Sequence, residues 1–243
     1  MNQIFLGLTI ALTINLLMFF PAYYWKTDKL TDISYSFTFI VLSTIMIIYH
    51  NTWIAGLMII IRALRLWMYL LIRIMKIKRD NRFDKMRNDR KKFIQFWLLQ
   101  GITVAIISIP LLLSSNNHIS IIGIIIWGGW LLIEAIADYQ KFQHIIYKRP
   151  KWIQNWLWKY SRHPNYFWEI ICRIGVYITI LPWLSLNNSL IAIISPLFII
   201  VLLLFVSWIP LLEKSGIRKR GNDASYEEYV RITSILIPRF RKK

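Results

Sequence analysis

Long apolar runs alternate with short polar stretches from one end of this chain to the other. Seven runs stand out, at roughly 3–24, 33–50, 53–75, 93–113, 120–141, 166–184 and 189–212. Each is near the length a helix needs to cross the hydrocarbon of a bilayer. No water is present there to satisfy peptide groups, so such runs fold as helices. The pattern predicts an all-α fold, a polytopic membrane bundle of about seven transmembrane helices. The boundaries carry their own signals. Thr31 or Asp32 offers an N-cap for the second run. Pro164 suits the first turn of the sixth, where its missing N–H costs nothing. Ser225 followed by Glu228 has capping-box spacing and starts a short helix in the polar tail.

Composition supports a membrane protein. Of 243 residues, 56% are hydrophobic, and the mean hydropathy is +0.46. A soluble domain is excluded at that level. The net charge of +18 invites a nucleic-acid reading, but the distribution of charge removes it. Connections 25–32, 76–92 and 142–165 and the tail 213–243 hold 2, 9, 5 and 9 of the 30 Lys and Arg residues. The connections on the other side hold none. This alternation places the N-terminus outside and the C-terminus in the cytoplasm. The basic face then meets anionic lipid headgroups, and no nucleic acid is implied. A multi-pass protein of the plasma membrane, or of the inner membrane if bacterial, is expected. The single cysteine, Cys172, allows neither a disulfide within the chain nor a cysteine metal site. The first apolar run lacks a basic leader and a small-residue cleavage pattern, and reads as a retained span.

The polar groups inside or beside the apolar runs are the candidates for chemistry. Arg62, Arg65, Tyr69 and Arg73 recur at helical spacing and form one stripe. A guanidinium in hydrocarbon needs an acid, a phosphate or a wet cavity, although Arg73 is placed to snorkel to the edge. Glu134 and Asp138 lie one turn apart in the fifth run, followed by Gln140, Gln143 and His144. They either pair with Arg62 and Arg65 or hold a ligand, and both readings stay open. At the start of the sixth run stands Tyr160-Ser161-Arg162-His163-Pro164-Asn165-Tyr166-Phe167-Trp168-Glu169. An acid, an amide, a phenol and two bases meet there at a membrane boundary. That reads as a polar ligand site beside an apolar one, or as an interfacial anchor of Arg, Tyr and Trp. Lys148, Arg149, Lys151, Trp152, Trp156, Trp158 and Lys159 suggest a short interfacial helix before it. His50 and His118 read as solvated. The chain carries no soluble dinucleotide fingerprint, metal-ligand cluster or nucleophile motif, so no metal is expected.

The Arg-His-Pro-Asn-Tyr-x-x-Glu of residues 162–169, after Tyr160-Ser161, resembles the signature of the membrane reductases related to steroid 5-alpha-reductase. Within them it resembles the bacterial-type branch known as a domain of unknown function (DUF1295-like). The likeness extends to Thr31-Asp32, to Arg65-Leu-x-x-Tyr69-Leu-x-x-Arg73, to Asp80-x-Arg82-Phe83 and to Glu134-x-x-x-Asp138-x-Gln140. It also covers the tail from Glu213-Lys214 through Tyr226-x-x-Tyr229 to Pro238. The resemblance implies an NADPH-dependent reductase of a carbon–carbon double bond in a steroid- or isoprenoid-like lipid. It divides the chain into N-terminal helices over 1–113 and a cofactor-binding region over 114–243. Carried over, Arg65, Arg73, Glu134, Asp138, Arg162, His163, Asn165, Tyr166 and Glu169 hold the cofactor. Glu213, Lys214, Tyr226, Tyr229 and Arg231 close its cytoplasmic end. Tyr69 is the expected proton donor, with Glu169 beside the chemistry. Two positions depart from the pattern. Gln143 stands where a basic residue is common, and Trp168 where Gly is usual. The isoprenylcysteine carboxyl methyltransferases share the Arg-His-Pro, so an S-adenosylmethionine-dependent methyltransferase is the alternative. A non-enzymatic membrane protein is the third reading.

Overall fold

The computed structural model describes residues 2–76, 86–114, 120–147, 152–206 and 208–240. The expectations for Asp80, Arg82, His118, Lys148, Arg149 and Lys151 fall outside them. The fold is all-α. Its helices are α1 (Asn2–Tyr24), α2 (Lys29–His50), α3 (Trp53–Lys76), α4 (Arg90–Ile107), α5 (Ile109–Leu113), α6 (Ile121–Ile146), α7 (Pro164–Ile180), α8 (Leu186–Ala192), α9 (Ile194–Val201), α10 (Trp208–Arg220) and α11 (Ala224–Ile232). Five stretches are long and apolar enough to cross a membrane: Gln3–Tyr24, Lys29–His50, Trp53–Arg73, Ile121–Ile146 and Leu186–Arg220. The expected fourth span is split at Ser108 between α4 and α5. The expected sixth, α7, has 17 residues.

The chain forms two compact units, Met1–Ile121 with Val176–Ser195, and Ile122–Gly175 with Pro196–Lys243. In the first, α2 turns into α3 over Asn51 and Thr52. Asn51 adopts the left-handed conformation, φ 54°, and its N–H bonds back to Ile47 O. Asparagine tolerates that geometry better than most residues. Phe19, Ala22, Phe93 and Trp97 form a core cluster in which the Phe93 ring sits 5.8 Å from Phe19 and 6.0 Å from Trp97. Beside it lies a buried polar knot. Gln100 Nε2 lies 2.8 Å from Asn15 Oδ1, 3.0 Å from Thr31 O and 2.8 Å from Ser34 Oγ. Asn15 Nδ2 in turn donates to Ala11 O. In hydrocarbon such groups must find each other, so Gln100 fixes α1, α2 and α4 together.

Three local expectations are corrected. Asp32 is not the N-cap of α2: the helix begins at Lys29 after Asp28, and Asp32 lies inside its first turn. Ser225 does not cap α11. Asp223 does, accepting from Ser225 N at 2.9 Å, while Glu228 pairs with Arg231 instead of reaching back. His50 is not simply solvated, because its Nδ1 meets Gln3 Nε2 at 3.0 Å. At α11 the Asp223 carboxylate supplies the cap acceptor two residues before Ser225, whereas the Asp28 side chain leaves the α2 cap and accepts from Arg87 Nη1 at 2.8 Å.

The second unit is built on α6 and α7. A Cβ at Gly175 would lie 2.8 Å from Trp127 N and 2.9 Å from its Cα, so the absent side chain lets the two backbones touch. The Trp130 and Trp168 rings stack at 4.4 Å and 10°. Residue numbers rise along α6 as they fall along α7, so the helices are antiparallel. In the described part of the connection before α7, the expected short helix takes the form of one 3-10 helix, Trp156–Lys159.

Candidate functional site

Pro164 opens α7 as its first residue, so Arg162 and His163 sit just ahead of the helix. Both face Glu213 of α10. Arg162 Nη1 donates to Glu213 Oε2, and His163 Nε2 lies 2.7 Å from Glu213 Oε1. The carboxylate thus holds the imidazole in the tautomer with its proton on Nε2. Burial, the largest influence, pushes the His163 imidazole below its ordinary 6.5. Glu213 opposes that shift, while the charges of Lys141 and Arg162 add to it. A neutral ring results, stacked on Tyr166 at 5.7 Å and 17°.

The tail secures this corner. Arg162 N donates to Ser234 O at 2.8 Å, and Ser161 Oγ to Leu236 O at 2.7 Å. Tyr229 donates its hydroxyl proton to Trp158 O at 3.2 Å. Trp152, Tyr226 and Tyr229 form a small buried cluster under α11. Burial raises the Tyr226 phenol above its ordinary 10.0, with Glu213 adding and Arg162 and Arg220 opposing. The Tyr226 hydroxyl also presses against Gly216, where a Cβ would lie 2.2 Å away.

The second unit therefore brings Arg162, His163 and Glu213 into contact, and seats Tyr226 and Tyr229 beside them. Asn165 and Tyr166 follow on the first turn of α7. Glu134 and Asp138 are buried on α6. Glu169 lies 3.9 Å from Arg173, one turn on. Lys214 is exposed. Arg231 pairs with Glu228 at 2.7 Å on an open surface, and its side chain is 75% exposed, a solvated position unlike that of a buried contact. Arg65, Tyr69 and Arg73 lie along α3, in the first unit. The sequence reading missed Lys141, whose Nζ is 5.6 Å from the Trp158 ring centre and 5.8 Å from that of Tyr166. Its place one turn after Asp138 was the available signal. It also missed Trp130, which the sequence leaves indistinguishable from any interfacial indole.

Several buried atoms here lack a hydrogen-bond partner among the described residues. His163 Nδ1, Asn165 Oδ1 and Gln140 Oε1 are acceptors, and Arg162 Nε is a donor. Buried polar atoms are normally satisfied. The acceptors suit the hydrogen-bond donors of a polar ligand, and the Arg162 and Lys141 cations suit an anionic part of it.

These features define an integral helical membrane protein with a polar, cation-rimmed corner where α7 begins. The chain belongs to the family described as a protein of unknown function (DUF1295), whose model matches residues 18–233. Comparison with curated proteins gives no match, and comparison with solved structures gives none.

Proposed function

We propose that this protein is an integral membrane reductase that uses NADPH to saturate a carbon–carbon double bond in a steroid- or isoprenoid-like lipid. The observation that carries the reading is the Arg162–His163–Glu213 contact with uncommitted buried polar atoms around it. The residues fit the cofactor. Lys141, Arg162 and Lys214 supply cations for its phosphates. Asn165, Gln140 and His163 Nδ1 supply hydrogen-bonding groups for its polar rings. When bound, NADPH provides the hydride. Glu213 aligns Arg162 and His163, and burial keeps His163 neutral, so its Nδ1 remains an acceptor. The phenol of Tyr226, raised by burial, stays protonated at the cytoplasmic closure. In this reading α4 with α5, and α7, complete seven crossings. The basic connections put the C-terminus in the cytoplasm, where the nucleotide is found.

A second reading has a specific observation behind it. Glu213 is already neutralised by Arg162, and Glu169 is near Arg173. Polar groups that satisfy one another serve a bundle that binds nothing. Thermal denaturation of the protein in mild detergent with NADPH, NADH or S-adenosylmethionine separates the readings. A rise with NADPH is expected. A rise with S-adenosylmethionine alone would replace reduction by methyl transfer, and no rise with any of them would leave the structural role.

A further inference from the structure

The chain that follows α11 lies against the residues that lead into α7. A parallel bridge pairs Ser161 with Ser234. Ser234 O accepts from Arg162 N at 2.8 Å, and Tyr160 O accepts from Arg239 N at 3.2 Å. Ser161 Oγ donates to Leu236 O at 2.7 Å and accepts from His163 N at 3.1 Å. The segment 233–240 is therefore one hydrogen bond from the backbone of Arg162 and two from that of His163.

Exposure alternates along this segment, as an extended chain dictates. Ser234 and Leu236 are each 8% exposed, whereas Ile235 is 40% and Ile237 is 63% exposed. Phe240 follows at 85%, its ring edge-on to Tyr160 at 5.7 Å and 90°. Three large apolar side chains thus face outward from a segment whose other side is tied down, and such a patch marks a contact surface. Depth and charge identify what covers it. Arg162, which the segment holds, also meets Glu213. Glu213 lies about two turns before the basic end of Leu186–Arg220, a stretch long and apolar enough to cross a membrane. The segment therefore sits at the level where a membrane-crossing stretch ends. Residues 232–243 contain Arg239, Arg241, Lys242 and Lys243 and no acid. Apolar side chains among cations at that level fit the headgroup layer of an anionic bilayer, where the two signals together hold what either alone holds weakly.

We propose that the segment 233–240 is a clasp seated on anionic phospholipid. Ile235, Ile237 and Phe240 enter the headgroup layer, and Arg239 meets lipid phosphate. The seated segment keeps Ser161 and Arg162 in place for the Glu213 contact, so the lipid surface is coupled to the polar corner. Lipid that binds only the seated arrangement stabilises the corner along with it. The coupling does not depend on the proposed reduction.

Amide hydrogen–deuterium exchange of the full-length protein in lipid nanodiscs tests the clasp. Discs of phosphatidylcholine are compared with discs in which about a third of the lipid is phosphatidylglycerol. The amides of Arg162, His163 and Arg239 exchange about tenfold more slowly in the anionic discs. Combining Ile237→Ser with Phe240→Ser changes two exposed positions and abolishes the difference. Arg239→Gln keeps the backbone bond to Tyr160 and reduces it. Equal exchange of the wild-type protein in the two discs overturns the proposal, and so does a difference that the double variant retains. Slowing at Arg239 without slowing at Arg162 and His163 overturns it as well, because the lipid contact would then not reach the corner. If the double variant does not fold, Arg239→Gln decides, and an undiminished difference in that variant overturns the proposal.

Discussion

Replacing Glu213 by Gln tests the arrangement at the start of α7 directly. The substitution keeps the shape and removes the charge that faces both Arg162 and His163. The side chains of Arg162 and Glu213 are 12% and 19% exposed, so solvent screens the pair only in part. The Gln oxygen still accepts from cationic Arg162, more weakly, while its NH2 is set against His163 Nε2–H and that bond is lost, for a combined loss of about 2 kcal/mol near pH 8. The pH dependence is more telling. The folded pKa of His163 lies below its ordinary 6.5, so the unfolded chain binds more protons between the two values. Stability is full above about pH 6.5 and falls as the pH drops through that window toward the folded value. Glu213 raises the folded value and narrows the window. Glu213→Gln widens it downward, adding about 1.4 kcal/mol of loss at low pH for each unit that the carboxylate had contributed. The gap between wild type and variant therefore grows from pH 8 to pH 5.5. Unfolding by sodium dodecyl sulfate in mixed micelles, followed by circular dichroism at both pH values, measures it. A gap of the same size at both would mean that the imidazole does not feel this carboxylate.

Two further substitutions probe close approaches. Gly175→Ala places a methyl group 2.8 Å from Trp127 N. Backbone cannot yield as a side-chain tip does, so a loss of about 1–3 kcal/mol in the same unfolding assay is expected, and wild-type stability would refute the contact. Gly216→Ala drives a methyl group into the Tyr226 hydroxyl, whereas the ring carbon behind it stands off at 3.3 Å. Adding Tyr226→Phe should recover most of the loss, with a coupling above about 0.5 kcal/mol. Additive losses would place Tyr226 elsewhere.

The apolar periodicity was enough to read helices, and Pro164 was enough to fix where α7 begins. Both are local signals, a run length and a missing N–H. The cap errors are local too. Thr27, Asp28, Thr31 and Asp32 all offer an oxygen within about a turn and a half, and only packing selects the start. The contacts that give the corner its character are of another kind. Arg162 and Glu213 are 51 residues apart. No pattern along the chain sets that distance, and resemblance to a family named both residues without pairing them. Gln100 shows the same limit from the other side. In sequence it is one amide in a run that reads as structural. In the fold it collects acceptors from α1 and α2. Trp168 is the sharpest case. Read as an intruder where glycine is usual, it looks like an obstruction. The antiparallel register of α6 and α7 turns that bulk into one half of a stacked pair. Arg162, His163 and Lys141 gather near the start of α7, whereas the Trp130–Trp168 stack lies one turn along it, so the polar and the aromatic parts of this unit occupy successive turns of one helix.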